Sequence, residues 1–167
     1  GRLGSRAPQV LRNDKGDRFA VSLGGLPLPV GRFGIAGHRL DDPATDELIA
    51  RGYEGLNPGC FDPAQRLHDQ DRDGVVGEVM YPSINMFTFS LPDREVAHAV
   101  MRRHNDWIRD YCSEAPDRLI GVACIPLPDV EEAVAEVRRV SDMGIRGIAI
   151  PCQAPADKPY QHPDYEP

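Results

Sequence analysis

The sequence predicts an α/β protein whose parallel sheet is covered by helices. Three observations carry that prediction. Apolar runs at 74–82, 119–125 and 145–150 each end at a proline, Pro82, Pro126 and Pro151. The stretches between them, 92–114 and 130–143, repeat their apolar residues at three- and four-residue steps. Strands that are apolar throughout, instead of alternating, belong to sheets buried on both faces.

In chain order, residues 1–40 are rich in turns. Val10-Leu11-Arg12 and Phe19–Leu23 read as short strands around a hairpin loop at Asn13–Asp17. Gly24, Gly25, Pro27, Pro29, Gly31, Gly34 and Gly37 then discourage regular structure. Asp46–Arg51 and Pro63–His68 each predict short helices. The run Gly74–Pro82 predicts a buried strand. Pro92–Glu114 predicts a helix capped by Ser90, with Asp93 three residues on, and with Val96, Val100, His104, Trp107, Ile108 and Tyr111 on its buried face. Leu119–Ile125 is the second strand. Asp129 and Glu132 form a capping box for the next helix, whose stripe is Val130, Val134, Val137, Val140 and Met143. Gly144 ends that helix, and Ile145–Ile150 is the third strand.

Two architectures share this strand–helix–strand–helix–strand order, a doubly wound sheet and part of a (β/α)8 barrel, both with right-handed crossovers. In either, ligands meet the loops that follow the strands. Those loops begin at Pro82–Asn85, Pro126–Pro128 and Pro151–Gln153.

Composition narrows the function classes. The 167 residues carry a net charge of −7, which argues against a nucleic-acid partner or an anionic membrane surface. No apolar run approaches the roughly 18 residues of a membrane span, and the charged N-terminal residues do not read as a signal peptide. Cys60, Cys112, Cys124 and Cys152 form no CxxC pair and read as reduced thiols, which places the protein in the cytoplasm.

Few motifs carry chemistry. Asp69-Gln70-Asp71-Arg72-Asp73-Gly74 matches half of a calcium loop, but Met80 stands where a bidentate glutamate is needed. Asp73-Gly74 as a plain turn is the competing reading. The GxxGxxG spacing of Gly31, Gly34 and Gly37 does not match a dinucleotide fingerprint. The five histidines form neither HxH nor HExxH, and His104 on an apolar stripe reads as a hydrogen-bonded core residue. Ser83 lacks the surroundings of a nucleophile elbow. Ser83, Asn85 and Phe87 are kept as substrate-binding candidates because they follow the first strand of the series. No residue is assigned as catalytic or as a metal ligand.

Residues 66–167 resemble the amidohydrolase-related branch of the amidohydrolase superfamily, whose members include metal-dependent hydrolases and non-oxidative decarboxylases such as aminocarboxymuconate-semialdehyde decarboxylase. The resemblance rests on Arg66-Leu67, Asp71-x-Asp73-Gly74-Val75, Tyr81-Pro82-Ser83 and Asn105-Asp106-Trp107. It continues through Pro116-Asp117-Arg118-Leu119, Ile125-Pro126-Leu127, Gly144–Ile148 and Pro159-Tyr160-x-x-Pro163. It implies a partial (β/α)8 TIM barrel at 66–167, contributing about three parallel strands. Residues 1–65 would be an irregular segment with a hairpin, inserted after the first barrel strand.

The same resemblance implies a divalent metal, zinc before others, whose ligands have no matching position in this sequence. The expected protein is therefore a fragment of a cytoplasmic metal-dependent hydrolase or carboxy-lyase. It would be inactive and poorly stable alone, its parent acting on a small carboxylate or ring substrate, with a homodimer implied by the resemblance. Two alternatives stand beside it: a calcium-binding or interaction module using Asp69, Asp71 and Asp73, and a small complete doubly wound ligand-binding domain with a reversing strand order.

Overall fold

The computed structural model describes residues 3–14, 16–20, 28–127, 129–154 and 158–166. The backbone forms two units, Gly1–Asp69 and Gln70–Pro167.

In the first unit, β1 (Gln9–Asn13) and β2 (Gly16–Ala20) form an antiparallel hairpin closed by the Asn13–Gly16 pair, and β3 (Leu28–Pro29) pairs with β2. The second strand therefore starts at Gly16, ahead of the apolar residues at Phe19. A tight turn sets hairpin register from the loop outward. Val21–Leu23, Gly24, Gly25 and Pro27 lie outside the described residues. Helix α1 (Pro43–Ala50) starts where the Asp42 carboxylate accepts the Ala44 N–H at 2.9 Å, with Pro43 pre-set for the first turn. A Cβ at Gly31 would collide with the Ile49 backbone, and one at Gly34 with the Leu56 side chain. These glycines permit close packing.

Helix α2 (Pro63–Asp73) is longer than the sequence predicts and ends at Gly74, whose φ of +71° favours glycine. The Val75 N–H donates to the Gln70 carbonyl at 2.8 Å, closing a Schellman cap.

The second unit is built on β4 (Glu78–Met80), β5 (Leu119–Cys124) and β6 (Gly147–Ala149), all parallel and adjacent in chain order. The order does not reverse, which removes the doubly wound alternative. Strand β4 covers only the end of the predicted run, and Val76 is 86% exposed. Arg118 holds the chain entering it, donating from Nε to the Val76 carbonyl at 3.0 Å and from a terminal nitrogen to that of Val75 at 3.1 Å.

Helix α3 (Arg94–Cys112) joins β4 to β5, and α4 (Val130–Asp142) joins β5 to β6. Asp93, not Ser90, caps α3 by accepting the Val96 N–H at 3.2 Å, while Ser90 bonds the Phe87 carbonyl. The buried face of α3 includes Met101 and Asn105, and Trp107 is largely exposed. Helix α4 departs further from expectation. Ala133, Glu136 and Val140 are buried, and Val134 and Val137 point outward. Gly144, at φ +84°, ends it as predicted.

Ala123 and Ile125 pack on Ala133 and Val140. Cys124 packs on Ala97 and Met101. A Cβ at Gly121 would sit 2.7 Å from Ile108, so β5 and α3 approach closely there. Ile148 and Ile150, beside this packed region, are about half exposed.

Candidate functional site

The central strand is hydrogen-bonded differently along its two edges. The Glu78 N–H donates to the Arg118 carbonyl, and the Ile125 N–H donates to that of Ala149. Even-numbered residues of this strand therefore turn their peptides toward β4, and odd-numbered ones toward β6. Pairing with β4 stops at Met80–Gly121. Above it, Val122 and Cys124 face the side β4 has left.

Helix α3 fills that gap. Asn105, fully buried, donates from Nδ2 to the Cys124 carbonyl at 2.9 Å and accepts the Cys124 N–H at Oδ1 over 2.7 Å. The residue before it, His104, lies beside the Val122 backbone. Burial pushes its imidazole pKa down, against a smaller upward pull from the Val122 backbone.

The chain released from the ladder forms a short helical turn, Ile84–Ser90. Asn85 Nδ2 stands 3.1 Å from His104 Nδ1, and Thr88 Oγ1 donates to the Asn85 carbonyl at 2.5 Å. The three residues singled out in the sequence share this region. Ser83 and Phe87 are exposed and Asn85 is half-buried.

None of the three lines the cavity that opens at this edge. About 420 Å3 in volume, it is bounded by Phe89, Arg94, His98, Met101, Leu127 and Gln153, among others. Arg94 and His98 are four residues apart on the first turns of α3 and so share a face. Their nitrogens can receive a carboxylate, Gln153 adds an amide, and the apolar residues suit a ring. The i, i+4 spacing after a strand was the available sequence signal for this pair. A cavity of about 450 Å3 lies at the opposite edge, beside Arg109, Cys112 and Arg146. The carboxyl edge is the functional side of such sheets, so the first cavity is the candidate.

Residues 56–167 match the family model described as amidohydrolase. The chain belongs to the amidohydrolase family. Among amidohydrolase relatives, 2-amino-3-carboxymuconate-6-semialdehyde decarboxylase of Caenorhabditis elegans is 28% identical over 163 residues, covering 81% of this chain and 40% of the relative. Gamma-resorcylate decarboxylase of Rhodococcus jostii (strain RHA1) is 39% identical over 87 residues, 51% of this chain and 26% of the relative. The solved structure of 2,6-dihydroxybenzoate decarboxylase complexed with 2,6-dihydroxybenzoate superposes with a TM-score of 0.54 at 27% identity, over 77% of this chain and 39% of that one. The chain spans about two-fifths of the longer-matching relatives. Its three parallel strands form part of a (β/α)8 barrel.

Several residues behind the amidohydrolase resemblance are scaffold. Asn105 binds the strand, and Asp106 accepts from Arg139 at 2.6 Å. Arg139 also donates twice to Glu136, which is 1% exposed and further bonded by Arg102 at 3.0 Å and Asn105 at 2.8 Å. Burial pushes the Glu136 carboxyl up, but the bonds from Arg139 and Asn105 and the two guanidinium charges outweigh it, leaving the pKa below its ordinary value.

Decarboxylases of this superfamily are typically metal-dependent. Among the described residues, no three or more His, Cys, Asp or Glu side chains gather to hold a metal. Burial raises the Cys112 thiol to about 11 and the Cys124 thiol to about 12, which disfavours the thiolate a metal needs. The described residues do not fit the group.

The calcium alternative also fails. Asp69, Asp71 and Asp73 lie on α2, whose helical backbone continues through Asp73. A calcium loop needs these oxygens to converge from an irregular backbone. Asp73 is instead paired with Arg72 at 2.9 Å, and Asp71 with Arg118 at 2.8 Å. No helix among the described residues is long and apolar enough to cross a membrane.

Proposed function

We propose that this chain is part of a metal-dependent carboxy-lyase that removes CO2 from a small carboxylated ring. The observation that carries the reading is the likeness, in sequence and in fold, to decarboxylases whose named substrates are carboxylated rings or their ring-opened relatives. The cavity beside Arg94 and His98 supports it, because a guanidinium and an imidazole among apolar side chains suit a planar carboxylate.

In this reading Arg94 and His98 bind the carboxylate and Phe89, Met101 and Leu127 contact the ring, while Ser83, Asn85 and Phe87 lie outside the cavity lining. A divalent metal would be held by residues other than the described ones and would supply a Lewis acid. The chain's own part is to orient the ligand at the carboxyl edge. Hydrolysis of a small ester or amide is the competing outcome.

The test is a CO2-release assay on the natural protein that contains this sequence, offered 2,6-dihydroxybenzoate and related hydroxybenzoates, with and without a chelator. Chelator-sensitive CO2 release is expected, with a higher KM in Arg94→Ala. Hydrolysis without CO2 release, or turnover indifferent to chelator, overturns the reading.

A further inference from the structure

We propose that Tyr160 is a positioning residue for the ligand cavity, tying down the Pro151 carbonyl so that Gln153 keeps a fixed place in the wall shared with Arg94 and His98. Its role rests on the reading of that cavity as the ligand site and goes beyond it, because Tyr160 lies outside the lining.

The wall has little else to hold it. Strand β6 ends at Ala149, whose carbonyl still accepts the Ile125 N–H. Pro151, Gln153 and Ala154 then line the cavity without helix or strand. Pro151 has no N–H of its own to donate. Among the described residues, the hydrogen bond that reaches 151–154 comes from the Tyr160 hydroxyl, which donates to the Pro151 carbonyl at 2.5 Å across nine residues of chain.

The phenol has a firm seat. Its ring meets that of Tyr165 edge-on at 5.7 Å. Lys158 Nζ lies 5.3 Å from the centre of the Tyr165 ring and 2.7 Å from an Asp164 carboxylate oxygen. His162 Nδ1 accepts the Asp164 N–H at 3.2 Å, and the His162 N–H donates to the Pro159 carbonyl at 2.8 Å. Residues 158–165 thus brace one another locally, and the hydroxyl carries that bracing to Pro151. Burial first, then the nearness of Tyr165 and Cys152, pushes the phenol pKa above its ordinary 10, so the donor keeps its proton at neutral pH. A wall fixed before the ligand arrives need not be ordered on binding, which lowers the cost of association.

The decisive measurement is 15N relaxation of the natural protein that contains this sequence, free of ligand, beside its Tyr160→Phe variant, which loses only the hydroxyl. The backbone order parameter of Gln153 should be near the rigid value of about 0.85 in the parent and fall toward about 0.6 in the variant. A Gln153 already flexible in the parent, or equally rigid in both, overturns the proposal. Tyr160 is 37% exposed, so the variant should fold. Should it not, Tyr160→His, a polar ring too short to reach Pro151, is read in the same way.

Tyr160→Phe should also raise KM for 2,6-dihydroxybenzoate about fivefold with kcat nearly unchanged, the scale of one hydrogen bond. In a Gln153→Ala background the same change should add less than about twofold, because the residue it positions is gone. An unchanged KM, a fall in kcat alone, or effects that multiply in full mean that Tyr160 serves stability only, and reject the idea. Should no hydroxybenzoate be turned over, the proposed function fails, whereas the order parameters still decide whether Tyr160 holds the wall.

Discussion

Asn105 binds Cys124 as a neighbouring strand would. The Cys124 N–H reaches Asn105 Oδ1 at 2.7 Å, and Asn105 Nδ2 reaches the Cys124 carbonyl at 2.9 Å. A helix side chain thereby satisfies the backbone of the central strand where its partner strand has departed. Replacing it with leucine leaves a buried N–H and a buried C=O unpaired and strips one bond from Glu136. The expected loss is about 3 kcal/mol, from roughly 1–3 kcal/mol per orphaned group with partial relaxation. Urea unfolding of Asn105→Leu measures it, and a midpoint equal to wild type contradicts the strand-substitute role.

Glu136 joins Arg102 and Arg139 into one network between α3 and α4. Glu136→Gln keeps the shape but removes the charge. Both arginines retain access to water, so the loss should be about 2 kcal/mol, within the range for hydrogen bonds to charged groups. A double-mutant cycle with Arg139→Met should show strong coupling. Additive effects would mean the ion pair contributes little.

Acid should destabilise the chain in two stages. The pKa of His104 in the folded state lies below its ordinary 6.5. As pH falls from 6.5 toward that lower value, the unfolded chain takes up a proton that the native chain does not, and stability drops. Glu136, held below its ordinary 4.5, repeats the effect in more acid solution, because its ionised form is the one stabilised. Urea midpoints across this range should fall in both stages, and His104→Gln should remove only the first. A midpoint that rises on acidification through the first stage would contradict the sign.

Thiol labelling should separate the cysteines. All four are free, with Cys152 exposed and Cys112 and Cys124 buried. At mildly alkaline pH, Cys152 should react at once, while Cys112 and Cys124 should wait for unfolding because burial holds both as thiols. Mass spectrometry of alkylated peptides checks the order.

Gly121→Ala should cost about 1–3 kcal/mol through overpacking. The new Cβ would meet Ile108 at 2.7 Å and the Cys112 sulfur at 3.2 Å. Thermal melting measures the change, and Ile108→Val in the same chain should recover part of it.

Much of the second unit was legible because strand and helix periods differ and prolines punctuate the strands. Asp129 and Gly144 mark the ends of α4 by chemistry that acts locally. The inward face of that helix was not legible. Hydrophobic periodicity favours Val134 and Val137, yet a carboxylate with three cationic or amide partners occupies the buried position at Glu136. Two of those partners, Asn105 and Arg102, come from 31 and 34 residues away along the chain, beyond the reach of any local pattern. The same limit hid the cavity wall. Arg94 and His98 gain meaning only when Leu127 and Gln153 are brought opposite them. The calcium motif misled for the converse reason, since its spacing says nothing of whether the backbone beneath it is helical.

The departure of β4 from the sheet after Met80 has a consequence for how this sequence can vary. Because α3 carries the bonding that a longer β4 would otherwise provide, residues 81–92 are relieved of any duty to the ladder. Altered polarity can accumulate at their exposed positions, such as Tyr81, Ser83, Met86 and Phe87, while Thr88, Phe89 and Leu91 keep their packing. Sequence drift should therefore concentrate at those exposed positions and spare Asn105.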